Sequence, residues 1–369
     1  MYTKYFGLNT LPFENVPDPA FFFAQGDYHR ILEEMRGFVN AERGLMVVAG
    51  PVGSGKTTLS HKLMTELPDR VRLIWMAEPP ETSIELFLFL NQELGLKPSS
   101  SGRAFIIKDM REYLIKLKEE RNTCLVIIDE SHLMSDDVIN GIRILNNLEA
   151  GASKLIQIIL IGQEEFMDKI SRPEFEAFKQ RIAHIELIGR INGDRVREYI
   201  THRLEIAGAK NNIFSDTGIG AVKVATGGIP RLINSLCHRA LTVSCEREKK
   251  MVDMEDVDEA AQMIGLGRET FRYMTKVNVK EKERQIAHKQ KENNLSETQD
   301  TQKESPHQNE RQHSTPIKNK EKSNVAFPLL VLLSSIVTLA FSFLLYCKKL
   351  GFPDSLTCIE KLFQNLFFN

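Results

Sequence analysis

Cysteine is scarce in this sequence: five residues in 369, and Cys124, Cys237, Cys245, Cys347 and Cys358 stand at no metal-ligating or redox spacing. That pattern argues against a zinc or dithiol site, and Cys124 inside an apolar run fits a reduced, cytosolic setting. An excess of either charge is also missing. The 48 basic residues against 49 acidic ones leave a net charge of −1 and no global pull toward nucleic acid. Met1 to Phe6 does not open a signal peptide.

Two further absences divide the chain. From about Lys276 to Asn324 there is scarcely an aliphatic residue, and a run such as Lys289 to Asn294 cannot bury enough apolar surface to offset its ordering entropy. The composition predicts a disordered charged tether over 271–324, with room for a solvated helix near Lys280 to Gln290. Val325 to Cys347 then contains no charged residue. About 20 apolar residues suffice to cross the hydrocarbon core, so 325–347 reads as one transmembrane helix, with Pro328 tolerated in its first turn. Lys318, Lys320 and Lys322 before it and Lys348 and Lys349 after it leave its orientation undecided by charge. In the tail, 348–369, Ile359, Leu362, Phe363 and Leu366 recur at helical spacing. The tail reads either as an amphipathic helix, at the far interface or on a membrane partner, or as a frayed apolar end.

What the sequence does have is a phosphate-cradling loop, Gly50-Pro51-Val52-Gly53-Ser54-Gly55-Lys56-Thr57-Thr58, between an apolar run at Leu45 to Ala49 and a helical stretch to Met64. Glycines let the backbone N–H groups of such a loop turn toward a β-phosphate; Lys56 then reaches the β- and γ-phosphates, and the Thr57 hydroxyl binds Mg²⁺. Downstream, Cys124-Leu125-Val126-Ile127-Ile128 reads as a buried strand ending in Asp129-Glu130. Asp129 is expected to hold Mg²⁺ through its water shell and Glu130 to polarise the attacking water. ATP and Mg²⁺ are therefore the expected ligands. Because ATP is cytosolic, the N-terminal part belongs inside.

Further strands are predicted at Val71 to Met76 and Lys154 to Gln163, with helices at Thr82 to Leu94, Ile106 to Glu119 and Val138 to Leu148. Strands alternating with helices predict a parallel sheet covered on both faces over 1–190. Gln163 emerges at a strand end, where it either positions water or senses the γ-phosphate, or is an ordinary polar terminus. From Asp194 the pattern is purely helical: Asp194 to Ala207, Asp216 to Ala225, Arg231 to Glu246 and Met254 to Met263, with Asp194 and Asp216 as expected N-caps. This predicts a helical lid over 191–270. Arg231 follows Pro230 at a helix start, within reach of the γ-phosphate from that lid. Arg181, near a helix end, is a candidate to reach a neighbouring subunit's phosphates, which spacing alone supports weakly.

Phe6-Gly7-Leu8, Pro12-Phe13, Pro17-Asp18-Pro19, the phosphate loop, Ile127-Ile128-Asp129-Glu130, Arg143 to Glu149, Leu160-Ile161-Gly162-Gln163, Gln180-Arg181-Ile182 and Gly228 to Asn234 occur in that order. Together, over about residues 1–266, they resemble the AAA+ ATPases of the general secretion pathway protein A (ExeA/GspA) family, a type shared with MshM-like pilus and exosortase-associated ATPases. The resemblance implies a P-loop AAA+ fold, with Gln163 as sensor 1, Arg231 as sensor 2 and Arg181 as a trans arginine finger in an ATP-dependent ring. It further implies an inner-membrane protein with a cytoplasmic ATPase that acts with envelope secretion components. Two departures stand out. The family's Asp-Glu-Ala-Gln is Asp129-Glu130-Ser131-His132 here, and Gly-Gln-Pro-Glu is Gly162-Gln163-Glu164-Glu165. The periplasmic peptidoglycan-binding region that the resemblance implies is not expected in the short tail, which argues against direct peptidoglycan binding. Two other function classes stay open. One is a DNA-associated ATPase with a basic face at Arg190, Arg195, Arg197 and Arg203, diluted by Asp194, Glu198 and Glu205. The other is a nucleotide-gated scaffold in which Glu130 is idle.

Overall fold

The computed structural model describes residues 1–100, 102–151 and 153–268. The expected tether (271–324), transmembrane helix (325–347) and tail (348–369) lie outside the described residues. Among the described residues no helix is long and apolar enough to cross a membrane.

The chain opens with a short helix, α1 (Tyr2–Phe6), and a longer one, α2 (Asp27–Asn40). There follow β1 (Leu45–Ala49), α3 (Lys56–Met64), β2 (Val71–Met76), α4 (Ser83–Glu93), α5 (Arg103–Glu119) and β3 (Thr123–Ile128). Then come α6 (Asp136–Asn146), a small ladder of β4 (Glu149–Ala150) with β5 (Ser153–Lys154), β6 (Ile156–Gly162), α7 (Glu164–Ile170), α8 (Glu176–Lys179) and β7 (His184–Leu187). Five of the strands make one parallel sheet in the order β2-β3-β6-β1-β7. β1, β3 and β6 are buried at every position, as central strands covered on both faces must be.

The two-residue period of the strands divides the core. Met46, Val48, Leu125, Ile127, Ile159 and Ile161 pack with α2 and α3 on one face. Leu45, Val47, Val126, Ile128, Ile158 and Leu160 pack with α4, α5, α6 and α7 on the other. Ile159 has no exposed surface, and Ile159→Ala should cost about 2–5 kcal/mol by lost burial and a central cavity, read as a lowered urea midpoint at constant m. Cys124 lies in the same interior, where burial pushes its thiol up to about 12 and keeps it unreactive.

Four more helices, α9 (Val196–Ile206), α10 (Asp216–Thr226), α11 (Pro230–Glu246) and α12 (Met254–Met263), form a bundle continuous with the first core face. The N-terminal segment is fastened to this bundle. The Tyr2 hydroxyl lies 3.1 Å from His238 Nδ1 on α11, and Asn9 N donates to Ala207 O at 2.8 Å.

Several boundaries differ from expectation. Asp194 and Asp216 are not N-caps: the Asn192 side chain accepts from Asp194 N in a 3-10 turn before α9, and Ser215 caps α10 by accepting from Gly218 N. Asp216 is instead the first helical residue, where its charge favours the helix dipole. The strand expected from Lys154 begins at Ile156, because Lys154 pairs back onto Glu149.

Candidate functional site

Parallel register delivers three loops to one edge of the sheet. Ala49 lies beside Gly162, and Ile128 beside Leu160, so Gly50, Asp129 and Gln163 all emerge together at the C-terminal ends of their strands. Gly50 N also donates to Gly162 O at 3.2 Å. Gly53 and Gly55 have φ of 75° and 89°, a left-handed region that side chains resist. At Gly53 a Cβ would also lie 2.8 Å from Arg231 Cβ. The resulting loop lines a cavity with Val52, Gly53 and Gly55, while Ser54 Oγ is buried without a hydrogen-bond partner.

Lys56, at the start of α3, is 8% exposed. Its Nζ donates to Gly50 O at 2.9 Å and Pro51 O at 3.0 Å. Burial holds its ammonium below the usual lysine value, opposed by Glu130 and Asp129 and reinforced by Arg231. Thr57 Oγ1 donates to Asp129 Oδ2 at 2.7 Å, and Asp129 Oδ1 accepts from Glu130 N at 2.8 Å. Asp129 is thereby fixed through both oxygens. Glu130 occupies left-handed backbone, φ 49°, a conformation that costs a non-glycine residue roughly 1–3 kcal/mol and that recurs at functional sites. Its side chain is 42% exposed and faces the cavity.

That cavity, about 300 Å³, collects Lys56, Thr57, Thr58, Glu130, Gln163 and Arg231 along one wall, with Val52, Gly53 and Gly55 of the loop. Gln163 stands just before α7. Arg231 is the second residue of α11, and its backbone N donates to Gly53 O at 3.1 Å, so the bundle touches the loop directly. Neighbouring hydroxyl and carboxylate oxygens at Thr57 and Asp129 suit Mg²⁺, which takes one or two protein ligands and completes its shell with water and phosphate oxygens.

Arg181 is not brought to this cavity. It is exposed in the turn after α8, and Ala183 N two residues on donates to Leu45 O, at the opposite edge of the sheet. The length of β1, about 16 Å, separates that edge from the phosphate loop.

Residues 39–170 match the family described as AAA domain. This chain is similar there to an AAA domain. It is 29% identical over 265 residues to the general secretion pathway protein A of Aeromonas hydrophila, covering 72% of this chain and 48% of that protein. This chain thus spans about half the length of that relative. Among solved structures, Cdc6p from Pyrobaculum aerophilum superposes with a TM-score of 0.53 at 14% identity, over 67% of this chain and 71% of that one. The Aeropyrum pernix ORC2 protein in its ADPNP-ADP complexes gives 0.50 at 13%, over 67% and 72%. At such identities the likeness is one of fold, a P-loop AAA+ sheet flanked by helices.

The far end of the cavity was not legible in the sequence. It is walled by the N-terminal strap Glu14 to Asp18 with Phe21, Tyr28, Arg203 and Asn234. Arg203, on α9, is 7% exposed and is no part of a basic face. Its Nε donates to Pro12 O at 2.5 Å and its Nη2 to Glu14 O at 3.2 Å, while the guanidinium lies 4.9 Å from the Phe21 ring centroid. Asn234 Nδ2 donates to Glu14 O at 3.4 Å, and the Tyr199 hydroxyl links Asn234 to Arg203. Arg197, by contrast, is exposed and pairs with Asp216 at 2.8 Å at the surface. The Tyr28 hydroxyl donates to Ser54 O at 2.7 Å, tying the strap's side to the loop, and burial raises its phenol well above the ordinary value. The one sequence signal was Pro17-Asp18-Pro19, where Asp18 caps a 3-10 turn, Pro19–Phe21, that presents Phe21. Arg203→Leu leaves two strap carbonyls without their charged donor, so nucleotide affinity should fall about ten- to a hundredfold in a fluorescent ATP-analogue titration. Unchanged affinity would show that the strap holds without it.

Proposed function

We propose that this protein is a membrane-anchored AAA+ ATPase that hydrolyses ATP with Mg²⁺ to drive or regulate assembly of a bacterial envelope secretion, pilus or polysaccharide-export machine. The observation that carries the reading is the convergence of Lys56, Thr57, Glu130, Gln163 and Arg231 on one cavity, with Asp129 bonded to Thr57 behind its wall. ATP would place its phosphates in the loop and its base against the strap. Lys56 would exchange the Gly50 and Pro51 carbonyls for β- and γ-phosphate oxygens, a step favoured because those carbonyls only partly offset its burial. Thr57 and Asp129 would hold Mg²⁺, which would supply neutralisation of phosphate charge. Glu130 orients the attacking water, and Gln163 fixes that water or the γ-phosphate. Arg231 couples phosphate state to the bundle, which acts as a lid over 191–270, through the contact of α11 with Gly53.

Arg181 acts in trans: it lies at the sheet edge away from its own cavity and makes no side-chain hydrogen bond or ion pair among the described residues. Hydrolysis then depends on a homo-oligomer, a ring in this reading. The apolar segment 325–347 anchors the chain in the inner membrane, and the tether 271–324 leaves the ATPase on the cytoplasmic side. Envelope components are the partners, and direct peptidoglycan binding is not part of the proposal.

Phosphate release by the full chain in detergent tests this reading. Turnover should require Mg²⁺, stop on chelation by EDTA and ignore duplex DNA. Strong stimulation by DNA would instead favour a DNA-associated ATPase, and tight ATP binding without turnover would favour a nucleotide-gated scaffold.

A further inference from the structure

His132 has no part in the reaction as described, yet it stands against the carboxylate on which that reaction turns. Directly after Glu130 the chain makes a 3-10 turn, Ser131–Leu133, closed by a bond from Leu133 N to Glu130 O at 2.9 Å. Ser131 Oγ donates to Ile128 O at 2.9 Å and pins the turn to the end of β3. On its other side the turn abuts β6, where a Cβ on Gly162 would lie 3.2 Å from His132 N. The main chain at 130–132 is therefore held between the strand ends that deliver Asp129 and Gln163. Only side-chain rotation is left to adjust Glu130.

Within this rigid turn, His132 Nδ1 is buried and makes no hydrogen bond. Glu130 Oε2 lies 3.3 Å away without completing a hydrogen bond to it. A buried ring nitrogen without a partner is costly, and a small rotation of the Glu130 side chain supplies one. We propose that His132 is the positioning residue for Glu130. In its Nδ1–H tautomer the imidazole donates to Oε2 and leaves Oε1 to face the water. A carboxylate on a flexible side chain is thereby reduced to one presentation. This assignment rests on the reading that Glu130 orients the attacking water. It also gives a role to one of the places where the chain departs from the family it resembles, Ser131-His132 in place of Ala-Gln.

Asparagine and leucine at position 132 separate the donor from its bulk, because the two side chains are nearly isosteric and asparagine Nδ2 falls where His132 Nδ1 stands. In the full chain, His132→Leu should lower kcat roughly ten- to a hundredfold, the scale set by a misplacement of about 1 Å, with affinity for a non-hydrolysable ATP analogue unchanged. His132→Asn should restore most of the turnover. Native turnover in His132→Leu overturns the proposal. So does His132→Asn as slow as His132→Leu, or a loss of analogue affinity that accounts for the loss of turnover, since either makes His132 a structural residue. Glu130→Gln belongs in the same series. If it turns over normally, the reading of Glu130 itself fails; if it is inactive while His132→Leu is native, only the positioning role falls.

Discussion

Glu130→Gln should bind ATP as tightly as the native protein and hydrolyse it about a hundred- to ten-thousandfold more slowly, the range typical of losing a positioned general base. The amide keeps the shape of the side chain and cannot accept the water's proton. Binding should survive because the groups that hold phosphate lie elsewhere. Lys56 is kept beside the loop by the Gly50 and Pro51 carbonyls, and Asp129 is fixed by Thr57 and by the Glu130 backbone, which the substitution leaves in place. Analogue titration and phosphate release on the same preparation check both halves. A parallel loss of binding would mean that Glu130 shapes the site rather than serves the reaction.

Arg181→Ala should be equally severe, lowering turnover by about a thousandfold or more while leaving ATP affinity and the unfolding midpoint unchanged. The residue is exposed and remote from its own cavity, so its loss removes no buried contact. In the proposed ring it removes a planar cation offered to the phosphates of the adjacent subunit. Mixing provides the discriminating readout. An Arg181→Ala subunit retains an intact phosphate site and an Lys56→Ala subunit retains the arginine, so an equal mixture of two inactive variants should regain part of the native rate. Mixtures that stay silent at every ratio would place Arg181 outside the reaction.

How far the sequence revealed the site follows from how local each signal is. The phosphate loop and Asp129-Glu130 are contiguous runs at the ends of apolar strands, and the parallel register brings them together with little left to chance. Gln163 and Arg231 could be placed for the same reason, each at the end of an element whose limits were readable. The strap was not readable, because its fastening joins Pro12 and Glu14 to Arg203 across roughly half the chain, and nothing local marks Arg203 as buried. Grouping it with its neighbouring arginines by charge was a natural error, since a guanidinium can be satisfied by carbonyls and an aromatic face as well as by solvent. β7 escaped for another reason. His184-Ile185-Glu186-Leu187 is a half-exposed edge strand of four residues whose outward apolar side chains break the expected pattern.

The account rests on ATP hydrolysis that requires neighbouring subunits. Its most direct test is the specific ATPase activity of the full chain in detergent, measured against protein concentration at saturating Mg-ATP. The account predicts activity per subunit that rises with concentration to a plateau and is abolished throughout by Arg181→Ala. A specific activity independent of concentration and of Arg181 would contradict it.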